Sequence, residues 1–139
     1  MIIDNIRPFL VSIGNNCTLK NCRLLTHDAS MNNATGHIRV GNIEIGNNVF
    51  IGVASVVLPN VKIGDNVIVG AGTVVSKSIP ENSVCAGNPM KIISTYDAFK
   101  EKHKESISKF MVLTDADLFS MQKNETRDLL SATGAYVKQ

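Results

Sequence analysis

The side chains able to move a proton or hold a metal are few in this chain of 139 residues: three histidines, His27, His37 and His103, and three cysteines, Cys17, Cys22 and Cys85. The cysteines form an odd set with no metal-ligand spacing and read as small buried apolar residues. His27 stands apart because of where it lies. It belongs to the run THDAS, residues 26–30, just ahead of the stretch from Met31 to Arg39 in which the surrounding apolar pattern fails. An imidazole, with an ordinary pKa near 6.5, accepts a proton at neutral pH. Its neighbour Asp28 has two readings. It either holds the imidazole in one tautomer, as the third member of a triad does, or makes a local Asx bond at a corner.

These residues need a scaffold, and the sequence carries a repeat that makes one. From Ile45 to Pro80 the chain cuts into sixes: IGNNVF, IGVASV, VLPNVK, IGDNVI, VGAGTV, VSKSIP. The first place is always aliphatic (Ile45, Ile51, Val57, Ile63, Val69, Val75), the second is Gly in four of the six, and the fifth is small or aliphatic. A strict period of six fits neither a flat strand of period 2 nor a helix of period 3.6. It fits a chain that turns a corner after each hexad, with two inward positions per hexad and Gly, Asn or Asp where a corner needs unusual backbone angles. The prediction is an all-β parallel β-helix of about four coils, each of about 18 residues, stacked about 4.8 Å apart. Such a coil buries little alone and depends on neighbours, usually other subunits.

Read in order, Met1 to Pro8 shows no clear repeat and reads as a short lead-in or as the remnant of a longer N-terminal part. Hexads begin at Ile13, and a one-residue deletion after Leu19 turns Cys22 and Leu24 inward while keeping Arg23 out, since an unpaired buried Arg is costly. Residues 31–39 form a projecting loop that holds His37. Residues 81–93 make a last partial coil. The β-helix domain therefore spans 1–93, and 94–139 is a C-terminal helical extension. In it Tyr96, Phe99, His103, Ile107 and Phe110 recur at helical spacing behind a cap at Ser94 or Thr95. Thr114 caps a short helical turn through Leu118 and Phe119, a further helix runs from Lys123 to Ala132, and these helices cover the end of the prism. The net charge of +2, without long runs of one sign, does not point to nucleic acid or an anionic membrane. The apolar run from Phe9 to Ile13 is too short for a signal peptide or a membrane span, so a cytoplasmic protein is expected.

The motifs THDAS, IGNNVFIG and VLPNVKIGDNVIVGAGTVVSKSIPENSVCAGNPMKII, in this order along the chain, resemble the hexapeptide-repeat acyltransferases, within them the bacterial sugar and polysaccharide O-acetyltransferases. The likeness runs from about Ile13 to Phe110. It implies left-handed coiling, a homotrimer and acetyl-CoA as acyl donor bound between adjacent subunits, with no metal. It implies that His27 is the general base on the acceptor, with His37 and Phe50 near the acceptor or acetyl site. Gly52, Val53, Gly70 and Ala71 match the small residues set against the pantetheine arm. Ser76, Lys77 and Lys91 match polar and basic residues near the nucleotide end. Phe50 has a second reading as packing at a subunit contact, and Lys77 and Lys91 as solvated surface. Two departures are Val53, where many relatives have Ser, Ala or Met, and the lack of the hexads that many relatives carry ahead of Ile13.

On this fold a zinc hydratase of the carbonic anhydrase type needs three converging histidines, and only His27 and His37 lie in the repeat. A nucleotidyltransferase tail lacks a preceding nucleotide-binding domain. A non-catalytic scaffold has no need of THDAS before a loop together with a basic residue after GNP. The expected function is thus direct transfer of acetyl from acetyl-CoA to a sugar hydroxyl. Transfer to an amino sugar and a non-catalytic binding role are the alternatives.

Overall fold

The computed structural model describes residues 1–109, 112–120 and 136–138. Two compact units divide the chain, Met1–Asp97 and Ala98–Gln139.

The first unit is a parallel β-helix with three faces. Sheet A stacks β1 (Ile2–Ile3), β4 (Arg23–Leu24), β9 (Val56–Val57) and β12 (Val74–Val75). Sheet B stacks β2 (Val11–Ile13), β7 (Ile43–Ile45) and β10 (Val61–Ile63), and Ile79 bridges to Ile63 below them. Sheet C stacks β3 (Thr18–Leu19), β8 (Phe50–Ile51), β11 (Ile68–Val69) and β13 (Ser83–Ala86), and β14 (Lys91–Thr95) returns antiparallel along β13. Each coil runs from A to B to C, and four coils result.

The inward positions predicted from the hexads are the core. All six first-place aliphatics from Ile45 to Val75 are buried, as are the fifth-place Val49, Ser55, Val61, Val67, Thr73 and Ile79. The two inward hydroxyls are satisfied within the column: Ser55 Oγ donates to Gly70 O at 3.0 Å and Thr73 Oγ1 to the same carbonyl at 2.6 Å. Cys22 and Leu24 are fully buried and Arg23 is exposed, as the deletion after Leu19 requires. Cys85 is also buried, and burial pushes its thiol up to about 11. Ile13, in the first coil of the stack, keeps the inward register but is 38% exposed.

Two expectations need correction. The lead-in Met1–Pro8 is part of the first coil, since Ile2 and Ile3 pair with Arg23 and Leu24. The repeat is hidden there because a 3₁₀ turn, Pro8–Leu10, lengthens the corner between β1 and β2. Second, the second-place glycines are not needed for backbone angles. Left-handed φ values at the corner between sheets B and C belong to Asn16, Asn48, Asn66 and Asn82, all near +54° to +55°. These asparagines donate side chain to side chain down the stack, Asn48 Nδ2 to Asn66 Oδ1 and Asn66 Nδ2 to Asn82 Oδ1 at 3.1 Å each. The glycines are required by close stacking: a Cβ on Gly52 would lie 2.6 Å from Ala71 N, and one on Gly64 2.5 Å from Glu81 N. Both obstacles are backbone of the next coil and cannot swing away. Gly64→Ala is expected to lower stability by about 1–3 kcal/mol, the usual range for overpacking, read as a lower denaturant midpoint with little change in slope.

In the second coil the corner between sheets A and B opens into a hairpin. Strand β5 (His27–Asp28) pairs antiparallel with β6 (Arg39–Val40), His27 opposite Val40 and Asp28 opposite Arg39. One helical turn, α1 (Asn32–Thr35), closes its tip and ends on Gly36 at φ +70°. The predicted projecting loop is this tip. Helix α2 (Tyr96–Lys109) follows β14, with Phe99 stacked on His103 at 4.1 Å between centroids. In the second unit β15 (Val112–Thr114) pairs with β16 (Tyr136–Lys138). The predicted cap at Thr114 opens α3 (Asp115–Ser120): Thr114 Oγ1 accepts from Asp117 N–H at 3.2 Å, and Asp117 Oδ2 accepts from Thr114 N–H at 2.7 Å. Phe110 and the helix expected over 123–132 lie outside the described residues. No helix among the described residues is long and apolar enough to cross a membrane.

Candidate active site

The corner that follows sheet A brings His27 and Asp4 together. His27 leaves the coil there with its side chain 25% exposed, and Nδ1 contacts Oδ2 of Asp4, whose side chain is 2% exposed. Asp4 comes from the first coil. Asp4 N–H donates to Leu24 O at 2.9 Å, which continues the ladder of β1 on β4 and brings the carboxylate over Thr26. Four donors then close on it: Ile6 N–H on Oδ1 at 3.0 Å, and on Oδ2 the Thr26 N–H at 3.2 Å, the Thr26 hydroxyl at 2.8 Å and the imidazole Nδ1. Burial alone would raise the carboxyl's pKa. The hydrogen bonds from Ile6, Thr26 and His27 outweigh it and hold Asp4 well below the usual carboxylate range.

An ionised carboxylate accepts only, so Nδ1 carries the hydrogen and Nε2 is left with its lone pair. Among the described residues Nε2 makes no hydrogen bond. The pair is thus a partly exposed imidazole with one nitrogen anchored by a buried anion and the other open, an arrangement suited to taking a proton from a hydroxyl or amine.

Asp28, the residue expected to orient the imidazole, does something else. Its Oδ1 accepts the N–H of Ser30 at 2.8 Å, the local Asx bond of the alternative reading, and that bond holds its carboxyl below the usual range. The carboxylate on the imidazole is Asp4. Strict hexad counting passed over it, because the 3₁₀ turn breaks the six-residue register between Ile3 and Val11. The aliphatic pair Ile2–Ile3 directly ahead of Asp4, like Leu24–Leu25 directly ahead of Thr26, is the cue that would have found it.

His37 sits past α1, exposed, with Nδ1 at 2.6 Å from Thr35 O. Phe50 lies on the outer face of sheet C between Thr18 and Ile68, 38% exposed. Gly52, Val53, Gly70 and Ala71 share the corner from sheet C to sheet A in successive coils, with Gly72 N–H donating to Val53 O at 2.8 Å. Gly70 stacks on Ala86, and Lys91 pairs across from Ala86, so that corner ends in an exposed lysine. Among the described residues the N–H groups of Val53 and Ala71 make no hydrogen bond, and both residues are exposed. Ser76 and Lys77 lie elsewhere. They follow β12, on the same corner as His27 and two coils further along, since Leu24, Val57 and Val75 are in register.

The fold and this pair define a class: a parallel β-helix with an anchored imidazole at the base of a corner hairpin. Residues 42–77 match the family model described as bacterial transferase hexapeptide, six repeats, and the chain carries the left-handed β-helix of that family. It is 43% identical over 104 residues to Protein CapG of Staphylococcus aureus, covering 71% of this chain and 60% of CapG. Among solved structures it resembles a galactoside acetyltransferase in complex with coenzyme A, at 37% identity and a TM-score of 0.58 over 66% of this chain and 48% of that one. It also resembles a maltose O-acetyltransferase from Clostridium difficile 630, at 30% identity and a TM-score of 0.51 over 68% of this chain and 62% of that one. The chain thus spans about three fifths of CapG and about half of the galactoside acetyltransferase.

Proposed function

We propose that this chain is the subunit of a cytoplasmic acetyltransferase that moves the acetyl group of acetyl-CoA to a sugar hydroxyl. The observation that carries the reading is the buried Asp4 carboxylate on Nδ1 of His27. When bound, acetyl-CoA supplies an activated thioester carbonyl. Nε2 of His27 takes the proton of the acceptor hydroxyl as its oxygen attacks that carbonyl, and the unengaged N–H of Val53 or Ala71 is the backbone donor available to the oxyanion. As the C–S bond breaks, the imidazolium returns the proton to the leaving sulfur. Acetyl ester and free coenzyme A result, and the imidazole is neutral again.

Where the parts lie supports a homotrimer. The exposed N–H groups and Lys91 stand on one corner, while His27 and Lys77 stand on the other corner of sheet A, with the width of a prism face between them. One groove takes in both corners only if they come from two chains. The outer positions of sheets A and C support this: Val56 and Val74, beside Arg23, and Phe50 and Ile68, beside Thr18, are apolar neighbours, whereas the outer column of sheet B is Ser12, Glu44 and Lys62. Apolar faces are the ones a prism of this size buries against copies of itself.

The test joins assembly to ligand. The protein is expected to sediment at three times its 15.0 kDa chain mass. In calorimetric titration of the same solutions Lys77→Ala and Lys91→Ala are each expected to weaken acetyl-CoA binding by about 1–3 kcal/mol, as for charge-assisted hydrogen bonds to phosphate. A folded 15.0 kDa monomer, or unchanged affinity in both variants, removes the intersubunit groove.

A further inference from the structure

At the foot of the His27 hairpin lies a groove of about 230 Å³ lined by Phe9, Leu10, Ser12, Asn42 and Glu44. We propose that it is a saccharide subsite that holds one neutral pyranose ring of the acceptor. The assignment rests on reading the acceptor as a saccharide.

Among the described residues Phe9 is the most exposed of the large apolar side chains, at 79%. Leaving a phenyl ring in water is unfavourable, and core packing does not explain this one. Its backbone is firm, however. Phe9 is the middle residue of the 3₁₀ turn, where Leu10 N–H donates to Arg7 O at 3.1 Å and Val11 N–H to Pro8 O. The ring is thus presented on a fixed base.

The same groove is lined by hydrogen-bonding groups of complementary types. Among the described residues the Ser12 hydroxyl and the Asn42 carboxamide make no hydrogen bond within the chain. Glu44, whose carboxylate accepts only, has the exposed Lys62 ammonium at 3.4 Å as its ion-pair partner. The register places Ser12, Glu44 and Lys62 in one outward column of sheet B.

A pyranose ring matches both parts of such a lining. Its axial C–H groups carry partial positive charge and settle on the negative face of an aromatic ring. Its neighbouring hydroxyls each donate and accept, so two of them can donate to one carboxylate while an amide and a serine hydroxyl take what remains. Lys62 balances the charge of Glu44, which leaves the groove without a net field for a phosphate or a cation. Its volume suits one ring.

Position ties the groove to the chemistry. Asn42 follows Gly41, whose N–H donates to Thr26 O at 3.0 Å, and Val40 before it pairs with His27. An acceptor with one hydroxyl at His27 would therefore lay its neighbouring sugar unit in the groove. A lone monosaccharide would not reach both.

The experiment uses the full chain, titrated with maltose, lactose and diacetylchitobiose while backbone amide resonances are followed. At least one of these neutral disaccharides is expected to shift the amides of Ser12, Asn42 and Glu44. Phe9→Ala, at an exposed position, is expected to weaken that binding about fivefold, the scale of an aromatic stacking contact, and Phe9→Trp to preserve it. Unmoved amides at all three positions, or an unchanged Kd in Phe9→Ala, would overturn the subsite. Acetyl transfer to a sugar with an acceptor KM indifferent to Phe9→Ala overturns the subsite and leaves the transferase reading standing. Sugar binding in the groove without any acetyl transfer does the reverse.

Discussion

His27→Ala is expected to lower kcat for acetyl transfer by about 10² to 10⁴-fold, the usual contribution of a positioned general base. Acetyl-CoA affinity and the mass of the assembly should stay nearly the same, because His27 is partly exposed and its loss removes only one of four donors to Asp4. The pH profile is the more specific readout. The wild-type rate should fall toward acid pH as Nε2 is protonated, and that limb should vanish in the variant. A steady-state comparison across pH, with both substrates saturating, decides it.

Asp4→Asn should lower kcat by about 10- to 10³-fold, less than loss of the base itself. A carboxamide presents either an oxygen or an NH₂ group to the imidazole, and it lacks the charge that stabilises the imidazolium formed during transfer. KM for acetyl-CoA should not move, since no part of Asp4 lies on the corner of Val53 and Ala71. Asp4 also supplies an acid-sensitive share of stability. Its carboxyl titrates lower in the folded chain than in the unfolded one, so its contribution is complete above the ordinary carboxylate pKa near 4 and is lost as the pH falls from there toward the folded value. Asp4→Asn should flatten that part of the melting temperature against pH. A variant of wild-type kcat would leave Asp4 a purely structural anchor.

Much of the fold was legible because the hexad is a geometric statement: two inward places per turn leave little freedom in which residues face the core. The deletion after Leu19 could be placed from the cost of burying Arg23 alone. Asp4 escaped for the complementary reason. Its strand is two residues long, and the Pro8–Leu10 turn breaks the spacing that would have joined it to the repeat. Choosing Asp28 followed chain adjacency, yet residues adjacent in a strand point to opposite faces, and a carboxylate one coil away was better aimed. The glycines were correctly located for the wrong cause, since the contact they avoid is with backbone some 18 residues on and no local pattern shows it. That the candidate site residues fall on two different corners likewise emerges only when the strands are placed in register.

The most direct test of transfer to a sugar hydroxyl is release of free thiol from acetyl-CoA in the presence of neutral sugars and of the corresponding amino sugars. Acetyl-ester formation is followed in the same samples. Thiol release with sugars that carry hydroxyls alone, matched by ester and dependent on His27, is the predicted result. Release confined to amino sugars with amide as product, or no saccharide-dependent release at all, would contradict it.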